Sequence, residues 1–341
     1  MSELSVAAGA ARGVMDFAVS KGASRQALLE RSGIDPRALE DQDNRIAFSK
    51  YVALTRAGKE LSGDPALALH FGEAVELSEM SILALLGPAS GTMIDAFTQF
   101  NRYARLAVEV DLGTPERFQL KPGDGGLWLT DTRINPNDFP ELTESTFART
   151  VCSIRLIASG SDPGGRTQVL KAVHVTHSDP GYRDEYDRIF RAPVVFDSDK
   201  NALLLDPAIM SHKVPSQGRY VFGLLSERAD ALLKSLENAK STRGRVESHL
   251  LPLLHTGDVG IEAIANKMGV TRWTLFRRLK AEGVSFEKLL DELRHKMALH
   301  YLSGKKVSVN ETAYLVGFSE PAAFSRAFKR WTGKSPRKRP M

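Results

Sequence analysis

The stretch TRWTLFRRLK (271–280) sets a tryptophan and an arginine four residues apart, with a second pair of apolar residues, Leu275 and Leu279, at the same spacing. On a helix each pair shares a face, so the leucines can enter a core while Trp273 and Arg277 point away from it. A surface of that kind has a chemistry. Arginine can form a bidentate contact with guanine O6 and N7, and aromatic rings offer apolar surface to thymine methyls or sugar edges. Phe276 borders both faces, and core and outward placements stay open for it. Thr271, Arg272, Arg278 and Lys280 are suited to phosphate oxygens, which position a protein on a duplex and carry little sequence information.

Such a helix needs a scaffold, and the sequence contains it twice. IEAIANKMGVT (261–271) matches VNETAYLVGFS (309–319), and LFRRLK (275–280) matches FSRAFK (324–329). Each copy reads as a short helix, a glycine turn and a second helix. Gly269 and Gly317 take the left-handed turn conformation cheaply. Thr271 and Ser319 are the expected caps of the following helices. Pro321 fits a first helical turn, and Ser308 with Glu311 has the spacing of a capping box. These are helix-turn-helix units, expected at about 258–283 and 308–333. In the second copy Phe324, Ala327, Phe328 and Trp331 form the inner stripe. Ala322, Arg326 and Lys329 face outward, with Ser325 at the edge. Having fewer polar tips, this copy is expected to read fewer bases and to contact mainly the backbone. Between the copies, residues 285–301 predict a helix of about 25 Å at ~1.5 Å per residue. A rigid spacer of that size suits two helices set in successive major grooves, roughly 34 Å apart.

Charge follows the same division. Residues 240–341 carry 20 Lys+Arg against 9 Asp+Glu, whereas the rest carries 26 against 32. A basic third on an acidic body points to a polyanion, here double-stranded DNA. The fold class expected is an α+β N-terminal domain (1–239) followed by an all-α domain (240–341) of two helix-turn-helix units joined by a long linker helix. In the first domain, 4–20, 25–31, 47–61, 91–107 and 141–160 have helical period. VEVDLG, RFQLK, GLWLTDTR, QVLKAVHVTH, PVVF and NALLL are strand-like, with PGDGG as a hairpin turn. Residues 219–239 predict an amphipathic helix whose Phe222, Leu225, Ala229, Leu232 and Leu236 could form a dimer seam or pack on their own domain. KSTRG (240–244) is expected to be a linker.

Several other chemistries are disfavoured. A single cysteine, Cys152, cannot make an internal disulfide. It sits in an apolar helix without a base to lower its pKa. His174 and His177 lie on opposite faces of a strand, so no metal site is expected. PGDGG lacks the Lys-Ser/Thr and helix of a phosphate loop. No cofactor and no catalytic constellation are expected. No apolar run reaches the ~18 residues of a bilayer span, and the N-terminus lacks a basic leader. A soluble cytoplasmic protein with no membrane partner is therefore expected.

GFSEPAAFSRAFKRWTGKSP (317–336) closely resembles the C-terminal signature of AraC/XylS-type transcription regulators. LLGPASGTMIDAFTQFNRYARL (85–106) and VHVTHSDPGYRDEYDRIFRAPVVFDSDKNALLL (173–205) resemble the arabinose-binding-type sensor half of one subgroup. The resemblance implies a DNA-binding regulator, commonly an activator, that forms a homodimer constitutively or on demand, engages RNA polymerase and answers to a small-molecule effector. It places base-facing positions at Trp273, Phe276 and Arg277, and at Pro321, Ala322, Ala323 and Arg326. The family pattern ends with an aromatic and an arginine. This chain has Arg337, Lys338, Arg339 and Pro340 instead, so Arg337 and Lys338 are assigned to phosphate. Tyr103, Trp128, Arg133, Phe139 and Arg155 are the candidates for an effector pocket, the two arginines favouring an anion. Two rival readings accompany this one: a regulator whose N-terminal domain only dimerises or binds a protein, and a DNA-modifying enzyme. The latter is disfavoured because no reactive-cysteine context is present.

Overall fold

The computed structural model describes residues 3–74, 81–161, 169–214, 219–257, 259–303 and 307–336. The chain divides into two compact units, Met1–Leu233 and Lys234–Met341.

The first unit is mixed α+β. It opens with β1 (Ser5–Ala7), α1 (Ala8–Ser20) and α2 (Arg25–Ser32). It continues through β2 (Arg45–Ala47), α3 (Phe48–Ser62), α4 (Leu67–Ala74), α5 (Leu83–Ala89) and α6 (Met93–Ala107). The helix expected from residue 4 starts at Ala8, because Ser5–Ala7 pair antiparallel with β2 and drive Val6 into the core. Sequence periodicity did not mark α4 or α5, which are short and nearly apolar throughout. An amphipathic signal needs a wet face, and α4 has little of one.

The hairpin β3 (Phe118–Gly123) and β4 (Gly126–Asp131) closes through Asp124 and Gly125, the latter at φ +83. The long α7 (Pro140–Ser161) follows, then β5 (Leu170–His174), α8 (Arg183–Phe190), β6 (Val194–Val195) and β7 (Asn201–Leu205). The sheet runs β3-β4-β7-β5-β6, antiparallel except for the β5/β6 pair. VEVDLG is not a strand. Val108 and Leu112 make only isolated bridges, to Val6 and Arg133.

Two cores share α7. Phe147, Val151 and Ile154 pack with Val173, Tyr186 and Leu203 against the sheet. Leu142 joins Met15, Leu28, Leu54 and Phe71 among the first four helices. Helices α4 and α7 cross closely: a Cβ on Gly72 would lie 2.4 Å from the Ser145 carbonyl oxygen, so only glycine fits.

α9 (Arg219–Lys240) buries Ala229 and Leu236 of the expected seam within one chain and leaves Tyr220 and Leu224 exposed. KSTRG is an ordered junction and not a linker. Lys240 ends α9, and the Ser241 hydroxyl accepts the Gly244 N–H at 2.9 Å to cap α10 (Thr242–Leu250). A Cβ at Gly244 would overlap the Asn238 carbonyl.

The second unit is all-helical: α10, α11 (Ile261–Lys267), α12 (Arg272–Ala281), α13 (Phe286–Ser303), α14 (Val309–Leu315) and α15 (Pro321–Thr332). α13 has 18 residues, hence about 27 Å at ~1.5 Å per residue. Its Leu289 and Leu293 complete one core with Leu275 and Leu279. Its Ala298 and Leu302 complete another with Ala313, Phe324 and Phe328, and Met297 packs on both.

Candidate nucleic-acid interface

α11–α12 and α14–α15 are the two helix-turn-helix units. Each turn passes through a glycine at positive φ, +65 at Gly269 and +79 at Gly317. Thr271 caps α12, its hydroxyl accepting the Thr274 N–H at 3.1 Å. Ser308 and Glu311 form a complete capping box on α14. Ser319 is not the cap of α15. That position belongs to Glu320, which makes no side-chain cap, and Pro321 is the first helical residue. The second turn is one residue longer than the first. This explains why the two copies match at an offset of 48 before the turn and 49 after it.

On α12 the leucines are buried, and the rest faces out. Trp273 is 65% exposed and Phe276 51% exposed, which resolves Phe276 as an outward residue. The Arg277 guanidinium lies 4.9 Å from the centre of the Trp273 ring. This cation–π contact explains the spacing of four. It holds the arginine over the ring, so less freedom is lost when the pair meets a partner. Thr271, Arg272, Arg278 and Lys280 are exposed around it. Arg272 already has a companion, Glu262 of α11, at 2.7 Å. That residue was not singled out from sequence, although it precedes the turn by the length of one short helix.

On α15, Phe324, Ala327 and Phe328 are buried, Ala322, Arg326 and Lys329 are exposed and Ser325 is half-buried. The end of the helix is tied to α13. Arg330 pairs with Asp291, and the Trp331 indole N–H donates to the same carboxylate at 3.4 Å. Arg337 and Lys338 lie outside the described residues.

Residues 22–214 match the family of N-terminal arabinose-binding domains of AraC transcription regulators, and residues 264–339 match a helix-turn-helix domain family. The chain belongs to the AraC family of transcription regulators. It is a DNA-binding regulator with an N-terminal arabinose-binding-type domain. Among its relatives is the ornithine utilization regulator of Pseudomonas aeruginosa, 26% identical over 96% of this chain and 93% of that one. VirS of Mycobacterium tuberculosis is 26% identical over 95% and 93%. The transcriptional activator RhaS of Escherichia coli is 35% identical over 33% of this chain and 41% of its own length. The crystal structure of CdpR from P. aeruginosa covers 92% of this chain and 95% of that one, at 21% identity and a TM-score of 0.36. Among the described residues, no helix is long and apolar enough to cross a membrane.

The five residues expected to form the effector pocket of this AraC-family regulator do not converge. The buried Tyr103 donates its hydroxyl to Asp230 at 2.7 Å, and burial together with that bond pushes its pKa up to about 12. Trp128 meets His174 edge-on, and the Lys200 ammonium sits 3.8 Å from its ring centre. Arg133 donates to Asp131 at 3.0 Å and to Thr143. Burial lowers its pKa to about 10 against the pull of Asp131. Arg155 donates to the carbonyls of Ile189 and Phe190, closing the C-terminus of α8. Both arginines are thus occupied within the fold. Phe139 differs. It packs on Phe48 and Tyr51 and borders a cleft among α1, α3, α4 and α7. Tyr51, Glu141 and Ser145 also line that cleft, and sequence reading missed them. A signal existed: Glu141, Ser145 and Arg149 are spaced by four, which puts all three on one face of the helix.

Of the remaining candidates, His174 bonds to Ser198 and His177 reaches the Tyr186 hydroxyl. No metal-binding group of three or more His, Cys, Asp or Glu occurs among the described residues. Cys152 is half-buried, and burial pushes its thiol up.

Proposed function

We propose that this regulator reads promoter DNA chiefly through α12, with Trp273, Phe276 and Arg277 against base edges in the major groove. Thr271, Arg272, Arg278 and Lys280 hold phosphates beside them. Helix α15 takes an adjacent groove with Ala322 and Arg326 toward the bases, and with Ser325, Lys329 and the basic Arg337 and Lys338 toward the backbone. Residues 240–341 act as the DNA-binding domain and 1–239 as an effector-sensing and dimerisation domain. The protein works in the cytoplasm as a homodimer that activates transcription with RNA polymerase when a small-molecule effector binds the first domain.

The observation that carries the reading is the exposed, preassembled Trp273–Arg277 pair opposite two fully buried leucines. A solvated helix gains nothing from an exposed indole, whereas a groove-reading helix gains both apolar contact and a positioned guanidinium. The dimer reading draws on the exposed Tyr220 and Leu224 of α9. The activator reading draws on family likeness, RhaS being called a transcriptional activator. DNase footprinting and selection from random duplexes test it. A defined site protected over two successive major grooves supports the reading, and uniform binding to all duplexes contradicts it.

A further inference from the structure

The cleft bordered by Phe139 has a composition that its packing does not use. Phe17, Tyr51, Phe71 and Phe139 give it aromatic walls, and Glu141 and Thr55 stand among them. Its cavity is only about 10 Å³. A ligand of several heavy atoms therefore widens it as it enters.

Two groups of opposite charge are left incomplete, Glu141 lining the cleft and Arg149 beside its Phe71 wall. Glu141 is 7% exposed and lines the cleft. One of its carboxylate oxygens takes Lys59 at 3.1 Å, and the other, Oε2, is buried with no hydrogen-bond partner. Arg149 lies two turns further along α7, past the cleft residue Ser145. Its guanidinium stacks 4.9 Å from the centre of the Phe71 ring, one of the walls. Its Nε and Nη2 are buried without a partner. Burial pushes its pKa down, and the Tyr51 phenol, another wall, is near enough to oppose that shift. Arg133 and Arg155, by contrast, donate to partners within the fold.

A buried guanidinium with two open donors and no carboxylate is costly to keep. Its natural complement is a carboxylate, which can accept both donors at once. Glu141 already has Lys59 on one oxygen, so its open oxygen needs only a hydrogen-bond donor, charged or neutral. The walls ask for an apolar body. We propose that the cleft binds a small carboxylic acid with an apolar or aromatic body and a donor group, amine or hydroxyl, near the carboxylate. Arg149 holds the carboxylate, and Glu141 Oε2 accepts from the donor. This inference deepens the effector-sensing reading above and rests on it. The cleft also suits signalling. Its walls come from α1, α3, α4 and α7, so widening it shifts helices that feed both cores of the unit.

The test uses the full chain in calorimetric titration and thermal melts, with two matched sets of probes. One is L-leucine, 2-hydroxy-4-methylpentanoate, 4-methylpentanoate and 3-methylbutylamine. The other is L-phenylalanine, 3-phenyllactate, 3-phenylpropanoate and phenethylamine. At least one amino or hydroxy acid is expected to bind and raise Tm. Its donor-free counterpart is expected to bind at least tenfold more weakly, and its carboxylate-free counterpart not at all. Whether the amino or the hydroxy acid binds more tightly identifies the donor. Arg149→Met is expected to abolish carboxylate binding while leaving Tm of the unliganded protein equal or higher, since an unpaired buried charge is removed. Glu141→Gln is expected to erase the advantage of the donor-bearing acids. The proposal is overturned if none of the acids bind, if the amines bind as well as the acids, or if Arg149→Met lowers Tm by several degrees. It also falls if a ligand binds with indifference to both substitutions. In that last case the effector reading survives and only this site is lost.

Discussion

At α12 the outer face presents Trp273, Phe276 and Arg277, while the matching face of α15 presents Ala322 and Arg326. The inner faces differ the other way. α12 anchors with two leucines, whereas α15 anchors with Phe324 and Phe328 and ties Arg330 and Trp331 to Asp291 of α13. The same fold unit is thus built once with an elaborate outer face and a plain inner one, and once with the reverse. The difference fits the proposed function as a division of labour, in which the first unit reads and the second holds the reader in place.

The comparison breaks most severely at the turn glycines. Both need positive φ, which costs a residue with a side chain about 1–2 kcal/mol. At Gly269 a Cβ has open space, so Gly269→Ala should lose about that much. At Gly317 a Cβ would stand 2.2 Å from the Leu254 carbonyl oxygen. Gly317→Ala should therefore be clearly more destabilising in denaturant titrations. Equal losses would mean that the second unit is no more tightly held than the first.

Next in size is the difference in reading. Arg277→Ala should cost about 1–3 kcal/mol at one base pair and relax preference there. Arg326→Ala should weaken binding more evenly across sequences. Competition binding with singly substituted duplexes measures both.

How far the sequence told of this asymmetry depends on the level. The repeat, the inner stripes and the outward Trp273–Arg277 pair are legible because helical period and turn chemistry are local. The shift from Ser319 to Glu320 was hidden, although the change of offset from 48 to 49 recorded it. In the first unit the sheet strands were legible from alternation, but α4 was not, being buried nearly all round. The five effector candidates were chosen by residue type. Type cannot tell that Asp131 and Thr143 occupy Arg133, or that α8 occupies Arg155. The cleft joins residues from 14 to 145, and only folding brings them together.

A smaller effect separates the phosphate contacts. Lys280→Ala and Lys329→Ala should each lower the slope of log affinity against log salt by about 1. Titrations at several salt concentrations should give matching slopes for the two, because phosphate contacts carry no sequence and need no asymmetry. A change at one helix alone would show that the other is not seated on DNA.

The smallest lies in the caps. The Ser308 backbone N–H, followed by its hydroxyl, holds the Glu311 carboxyl below the ordinary glutamate value of 4.5. A depressed pKa adds stability that is present above the unfolded value and is lost as pH falls through the folded one. Thr271 caps α12 without a carboxylate. Glu311→Gln should therefore cost stability at neutral pH and little in acid, by melts between neutral pH and 3, and Thr271→Ala should show no such pH dependence.

The most direct measurement is selection of bound duplexes from a random pool, sequenced for the parent, for Trp273→Ala with Arg277→Ala, and for Arg326→Ala. The division of labour predicts that the double substitution flattens preference over most of the parental motif, because α15 adds little reading of its own. It predicts that Arg326→Ala preserves the parental motif at lower affinity. A double substitution that keeps the parental motif, or an Arg326→Ala motif that is flattened as far, would contradict it.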